Sequence, residues 1–322
     1  MFTTLKPGES RAIVGIQFND QTEDFITSVR EFAEATKFKL SLVHVWKPED
    51  HILPLSLAPS VNFHSALFEL ERYDLESKME KLVEKFPGLD VETEVFSGDP
   101  ATTLKIEADK KDAALIIIGA RESSYRGMPR AFSTALELGS SSRVSTMIIP
   151  PGTVNHWNNI PWKILVADDF DRHSWPALHL ASDLCLHSNS FEFHYFHAHR
   201  VGKQILRRSA QKILEAMTLG KIPYNEEFGP EFYMSKVQSQ LQGSMKERMG
   251  ALQGILKSTG GRYHEHILYG PVKDCMDDVV MEVDPHLIVL GRHEAIHQRP
   301  FALGQLPLHT MLKAEVPIII AV

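Results

Sequence analysis

Gly98-Asp99-Pro100, a helical stretch, and then Leu115-Ile116-Ile117-Ile118-Gly119 form the segment on which the reading of this chain turns, because it recurs. Gly270-Pro271 opens the second version and Leu287-Ile288-Val289-Leu290-Gly291 closes it. The same number of residues separates Gly98 from Gly119 as separates Gly270 from Gly291. A repeat at the scale of half the chain has to be settled before any fold is assigned.

Working outward, other landmarks fall into the same two sets. Ala12-Ile13-Val14-Gly15-Ile16 precedes Gln17-Phe18-Asn19-Asp20, and Ile164-Leu165-Val166-Ala167 precedes Asp168-Asp169-Phe170-Asp171. A helical face follows each, with Phe25, Val29, Phe32 and Ala33 in one and Ala177, Leu180, Ala181 and Leu184 in the other. Both helices lead to a run carrying a histidine near its end, Leu42-Val43-His44-Val45 and Tyr195-Phe196-His197-Ala198. Met147-Ile148-Ile149 and Ile318-Ile319-Ile320 close the two sets. The second set is longer between its second and third strands, where Leu206 to Lys257 is helical in pattern and broken at Gly229-Pro230. Pro150 to Asn159 reads as the linker.

Continuous apolar runs without alternation are strands buried on both faces, the mark of a parallel sheet covered by helices. Strand and helix alternate in each set, which predicts an α/β chain of two tandem doubly wound domains, 1–152 and 160–322. In such sheets ligands bind beyond the carboxyl ends of the strands, where the strand order reverses. Each copy offers a last strand whose edge must be covered, so the copies are expected to pack as an internal pseudo-dimer.

Composition narrows the function. The 322 residues carry 34 Lys+Arg against 41 Asp+Glu, a net charge of −7, so no basic excess is available for nucleic acid or an anionic membrane. No apolar run approaches the ~20 residues of a spanning helix. Two cysteines, Cys185 and Cys275, make no disulfide framework, and a cytoplasmic protein is expected. Nucleophile-elbow, phosphate-loop and dinucleotide motifs are missing.

Ile164 to Phe170, His44-Val45, Gly98-Asp99-Pro100, Leu287 to Gly291 and Val316-Pro317-Ile318-Ile319-Ile320 together resemble the universal stress protein family in its tandem two-domain form. The resemblance implies five-stranded parallel sheets of the adenine-nucleotide alpha-hydrolase-like kind, dimerisation through the last strand, and a role under stress. One branch of the family binds ATP through an Asp after strand one and a loop of pattern G-x2-G-x9-G-(S/T) after strand four. Transferred to this chain, the pattern nominates Asp169, Ala198, Gly291, Gly304 and Gln305 in the second domain, with ATP or AMP as ligand. Glu294 stands in place of the middle glycine and Gln305 in place of the hydroxyl residue. The first domain departs further: Gln17 replaces the Asp, Glu122 falls at the middle glycine, Gly127 indicates an insertion, and Ser133-Thr134 sits where Gly-Ser belongs. A carboxylate about 4 Å from a phosphate costs on the order of 4 kcal/mol at an effective dielectric near 20, roughly three decades of affinity. The first domain is therefore expected to have lost nucleotide, and the second to keep a modified pocket.

Three readings follow: a non-catalytic binding or signalling module, a metal-dependent nucleotide hydrolase using Asp169 and Glu294, and a structural interaction protein with filled pockets. Asp169 equally suits a cap shared with Asp171 and Ser174. Gly139-Ser140-Ser141-Ser142 reads as a polar connection before the last strand of its domain. Of 16 histidines, twelve fall from His173 onward. His264 and His266 share a strand face, as do His197 and His199, and His293 and His297 suit a helix. Paired imidazoles make metal ligands, but carboxylate or thiolate partners at ligand spacing are not evident, and no resident metal is assigned. His44 and His197 read as hydrogen-bonded strand-end side chains.

Overall fold

The computed structural model describes residues 5–6, 8–46, 61–120, 134–153, 161–186, 191–199, 203–224, 230–258, 262–292 and 303–322. In the first half the order is β1 (Arg11–Ile16), α1 (Thr22–Thr36), β2 (Lys39–Trp46), α2 (Val61–Val83), β3 (Val91–Ser97), α3 (Pro100–Lys110), β4 (Leu115–Gly119), α4 (Thr134–Ser141) and β5 (Ser145–Ile149). In the second half it is β6 (Trp162–Ala167), α5 (Trp175–Leu186), β7 (Phe191–His199), α6 (Lys203–Thr218), α7 (Pro230–Ser258), β8 (Arg262–Tyr269), α8 (Val272–Val283), β9 (Leu287–Gly291), α9 (Gln305–Lys313) and β10 (Ile318–Ala321).

The ten strands among the described residues form one sheet in the order β3-β2-β1-β4-β5-β10-β9-β6-β7-β8. Within each half every pairing is parallel. The halves join where β5 and β10 run antiparallel, Ile318 opposite Ile148 and Ile320 opposite Thr146. Each last strand thus covers the other's edge, so neither presents a free ladder of backbone groups.

Period-2 alternation divides the apolar runs between the two faces. Val14, Ile117, Met147, Val166, Val289 and Ile319 face one helical layer. Ile13, Ile116, Ile148, Leu165, Ile288 and Ile320 face the other. Both layers run unbroken across the seam. Leu5 N also donates to Asp183 Oδ2 on α5 at 2.8 Å, and Ser28 Oγ to Thr153 O at 2.9 Å.

The duplicated glycines have a backbone reason. Gly98 and Gly270 sit at φ 139° and 152°, where a side chain is strained, as the chain leaves a strand for a helix. Gly98 N bonds Trp46 O and Gly270 N bonds His199 O, both at 3.0 Å. Asp99 then caps α3 by accepting from Thr102 N at 2.9 Å, with Pro100 in the first turn.

The sequence places a polar connection at Gly139 to Ser142, and the structure corrects it. Gly139, Ser140 and Ser141 lie in α4, with Gly139 buried against Leu303 and Ile320. A glycine-serine run reads as a loop by composition, but here the missing side chain lets the helix lie close on the seam. Among the described residues no helix is long and apolar enough to cross a membrane.

Candidate functional site

Strand order reverses between β1 and β4 in the first half and between β6 and β9 in the second. The carboxyl ends of those strands are where a ligand cleft belongs. In the second half, register sets Ala167 between Leu290 of β9 and Phe196 of β7, so Asp168 leaves the sheet with a neighbour on each side.

Asp168, not Asp169, turns inward. Its side chain is fully buried and meets the Arg248 guanidinium side-on: Nε to Oδ2 at 2.7 Å and Nη2 to Oδ1 at 3.0 Å. Tyr195 donates its hydroxyl to Oδ2, and Phe170 N donates to Oδ1 at 2.8 Å. Two charge-assisted bonds in one plane and two further donors satisfy both oxygens. Burial, then the Asp168 charge, raises the Tyr195 phenol above its usual range, so it stays a donor. Arg248 comes from α7, where Met245, one turn earlier, is also buried. The same guanidinium donates to Asp171 O at 2.7 Å and lies 4.6 Å from the Trp175 ring centre. One side chain therefore fastens α7 to the end of β6 and to the start of α5.

Asp169 is exposed, and its side chain shapes the loop. Oδ1 accepts from Ser174 Oγ at 2.5 Å and from Asp171 N at 3.0 Å. Asp171 in turn accepts from Arg172 N and caps the short 3-10 turn Arg172–Ser174. That turn lies directly on Gly291: a Cβ there would stand 2.1 Å from His173 O. The glycine is required by this backbone crossing, whatever else the cleft does. Ala198 lies near the carboxyl end of β7, two residues past the Phe196 pairing. The structure thus gathers Asp169, Ala198 and Gly291 at the ends of three neighbouring strands. Gly304, at φ 87°, and exposed Gln305 begin α9. Glu294, His293 and His297 lie outside the described residues.

The first half keeps the same frame at the end of β1. Gln17 follows β1, and Gly119 ends β4 with the Phe25 ring 3.4 Å from where its Cβ would be. Glu122, Gly127 and Ser133 lie outside the described residues, while Thr134 starts α4. His44 Nδ1 bonds Ile16 O at 2.9 Å, and His197 Nδ1 bonds Asp168 O at 2.8 Å. Phe18 lies 5.0 Å from the His44 ring, and Phe170 stacks on His197 at 3.9 Å. In both halves the strand-end histidine therefore ties the first two strands together.

Burial pulls His44 below its ordinary pKa, against the pull of its Ile16 bond, and Lys78 lowers it further. Because the folded state favours the neutral ring, the unfolded chain binds more protons below the unfolded value of about 6.5. This contribution is complete above that value and disappears as pH falls through the lower folded value. The urea midpoint should drop from about pH 7.5 to about pH 5.5, and less steeply in His44→Asn, whose amide can take the Nδ1 bond. Parallel slopes would remove His44 as a cause. Burial, then His264 and His266, lowers His194 further, to about 4.

Residues 10–150 match the model of the universal stress protein family. Over that stretch the chain is similar to the universal stress protein family. Among solved structures, a universal stress protein from Archaeoglobus fulgidus DSM 4304 is 16% identical, with 98% of this chain and 97% of that chain covered at a TM-score of 0.63. A functionally unknown protein from Pseudomonas aeruginosa PAO1 is 14% identical, with 98% and 93% covered and a TM-score of 0.60. At these identities the likeness is one of fold, and it spans both halves. A universal stress protein from Archaeoglobus fulgidus in complex with dAMP is 17% identical over 43% of this chain and 96% of its own, with a TM-score of 0.31. No curated protein matches the chain.

At this site, sequence reasoning missed Asp168, Tyr195 and Arg248. Adjacent aspartates after an apolar run do not reveal which turns inward. Arg248 is remote in sequence, and the extra length of the second half was the signal that pointed towards it.

Proposed function

We propose that this protein is a non-catalytic binding and signalling module of two universal-stress-type domains, 1–152 and 160–322, whose second cleft is held shut by its own residues. The observation that carries the reading is the Arg248–Asp168 pair. It neutralises the buried carboxylate at the carboxyl end of β6 and fastens α7 over it. Asp169 is engaged with Ser174 and Asp171 N, so both carboxylates are used in holding the loop. A hydrolase would need one of them to orient a metal-bound phosphate or water.

The test is phosphate release from ATP with Mg²⁺, using the wild type, Asp169→Asn and Glu294→Gln. All three should match the protein-free blank. Turnover by the wild type that either substitution abolishes would establish the hydrolase instead.

A modified pocket for ATP or AMP is the second reading, favoured by the convergence of Asp169, Ala198 and Gly291 on one end of the sheet. Mass spectrometry of a denatured extract and equilibrium dialysis with both nucleotides separate the two readings. A closed cleft gives no stoichiometric nucleotide and no saturable binding.

A further inference from the structure

The copies differ sharply at one matched position on the outer strands. In the first half Ser41 of β2 lies opposite Glu92 of β3. The Lys111 ammonium fills the space between them, 2.9 Å from Ser41 Oγ, 2.5 Å from Glu92 and 2.6 Å from Glu94. A cation thus sits at the centre of that group. The spacing that aligns Gly98 with Gly270 aligns Glu92 with His264, Glu94 with His266 and Lys111 with Val283. The pairing that sets Ser41 against Glu92 sets His194 against His264. The second half has exchanged the lysine for an apolar residue and both carboxylates for imidazoles.

Glu192, His194 and His264 bring one ligand atom each within 4.8 Å of one another. His194 has a side chain only 9% exposed, and its Nε2 makes no hydrogen bond among the described residues. That nitrogen points to Glu192 Oε2, 3.5 Å away. Two ligands of a tetrahedral ion, each at 2.0–2.1 Å, stand roughly 3.4 Å apart. The other ring nitrogen, Nδ1, is 3.0 Å from His266 Nε2. With Nδ1 donating, Nε2 keeps its lone pair for a metal, which is how outer partners orient ligating histidines. Glu192 Oε1 is held at 3.1 Å by Arg262, an exposed side chain whose positive charge is largely screened by water. Glu282 of α8 adds negative charge towards His266.

We propose that Glu192, His194 and His264 form a site for a divalent transition metal of the zinc type, with His266 as a positioning residue. Two imidazoles and one carboxylate suit zinc and disfavour magnesium, which takes oxygen ligands in an octahedron. Exposed His264 forms the solvent side, where water can complete the coordination.

The test uses the full chain, stripped with a chelator and titrated with Zn²⁺ against a chromophoric competitor. Co²⁺ serves as the spectroscopic probe. One tight site per chain is expected. Affinity should fall at least about 100-fold in His264→Ala and Glu192→Gln, and about 10-fold in His266→Ala. His264 is exposed, so its variant keeps the fold and decides the matter even if Glu192→Gln does not. Absence of a stoichiometric site in the wild type, or folded His264→Ala within threefold of wild-type affinity, overturns the proposal.

Discussion

Arg248→Met should lower the free energy of unfolding by about 3–5 kcal/mol, the usual loss when one partner of a buried ion pair is removed. The cause is what remains rather than what is lost. Asp168 has no exposed side-chain surface, so its charge would keep only the Tyr195 and Phe170 donors. Arg248→Lys should rescue only in part, because an ammonium cannot reproduce the planar two-point contact. Asp168→Asn combined with Arg248→Met should cost less than Arg248→Met alone, since no buried charge is then left unpaired. Urea unfolding of the four proteins measures this, and hydrogen exchange should show the α7 amides losing protection first. A loss below about 1 kcal/mol for Arg248→Met would place the pair with exposed ion pairs and remove the lock from the functional argument.

The repeat was legible because its landmarks are backbone requirements. Gly98 and Gly270 occupy matching positive-φ turns, and the apolar runs are long enough to be buried on both sides of a sheet. Sequence reasoning offered Asp169 as a cap that Asp171 and Ser174 could share; the cap of the short turn is Asp171, while Asp169 accepts from Ser174 and Asp171 N. What stayed hidden depends on contacts between distant segments. Period-2 reading stops where β6 stops, so it could not assign Asp168 inward and Asp169 outward. His264 and His266 were visible as one strand face, but only the register of β7 against β8 brings His194 and Glu192 to them. Gly139 to Ser141 misled for a related reason. The missing side chain of Gly139 serves packing against Leu303 and Ile320, and composition cannot tell that from a flexible connection.

Gly291→Ala should destabilise the protein by about 3 kcal/mol, while Gly119→Ala at the matching position should be nearly neutral. An added methyl at Gly291 meets His173 O at 2.1 Å, with His173 C at 3.0 Å and Ser174 Cα at 3.1 Å. All three belong to the loop rather than to a movable side-chain tip, so the 3-10 turn must lift. Lifting it disturbs the Asp169–Ser174 bond and the Asp171 carbonyl that Arg248 holds. At Gly119 the nearest atom is a Phe25 ring carbon at 3.4 Å, an ordinary contact, and alanine saves backbone entropy within a strand. The comparison separates two reasons for a glycine at the end of the fourth strand. If Gly291 served only the approach of a phosphate, alanine there would spare stability and alter ligand binding alone. If it serves the crossing loop, stability falls with no ligand present. Equal urea midpoints for the two variants would mean that the halves end their fourth strands alike, and the closed second cleft would lose its structural basis.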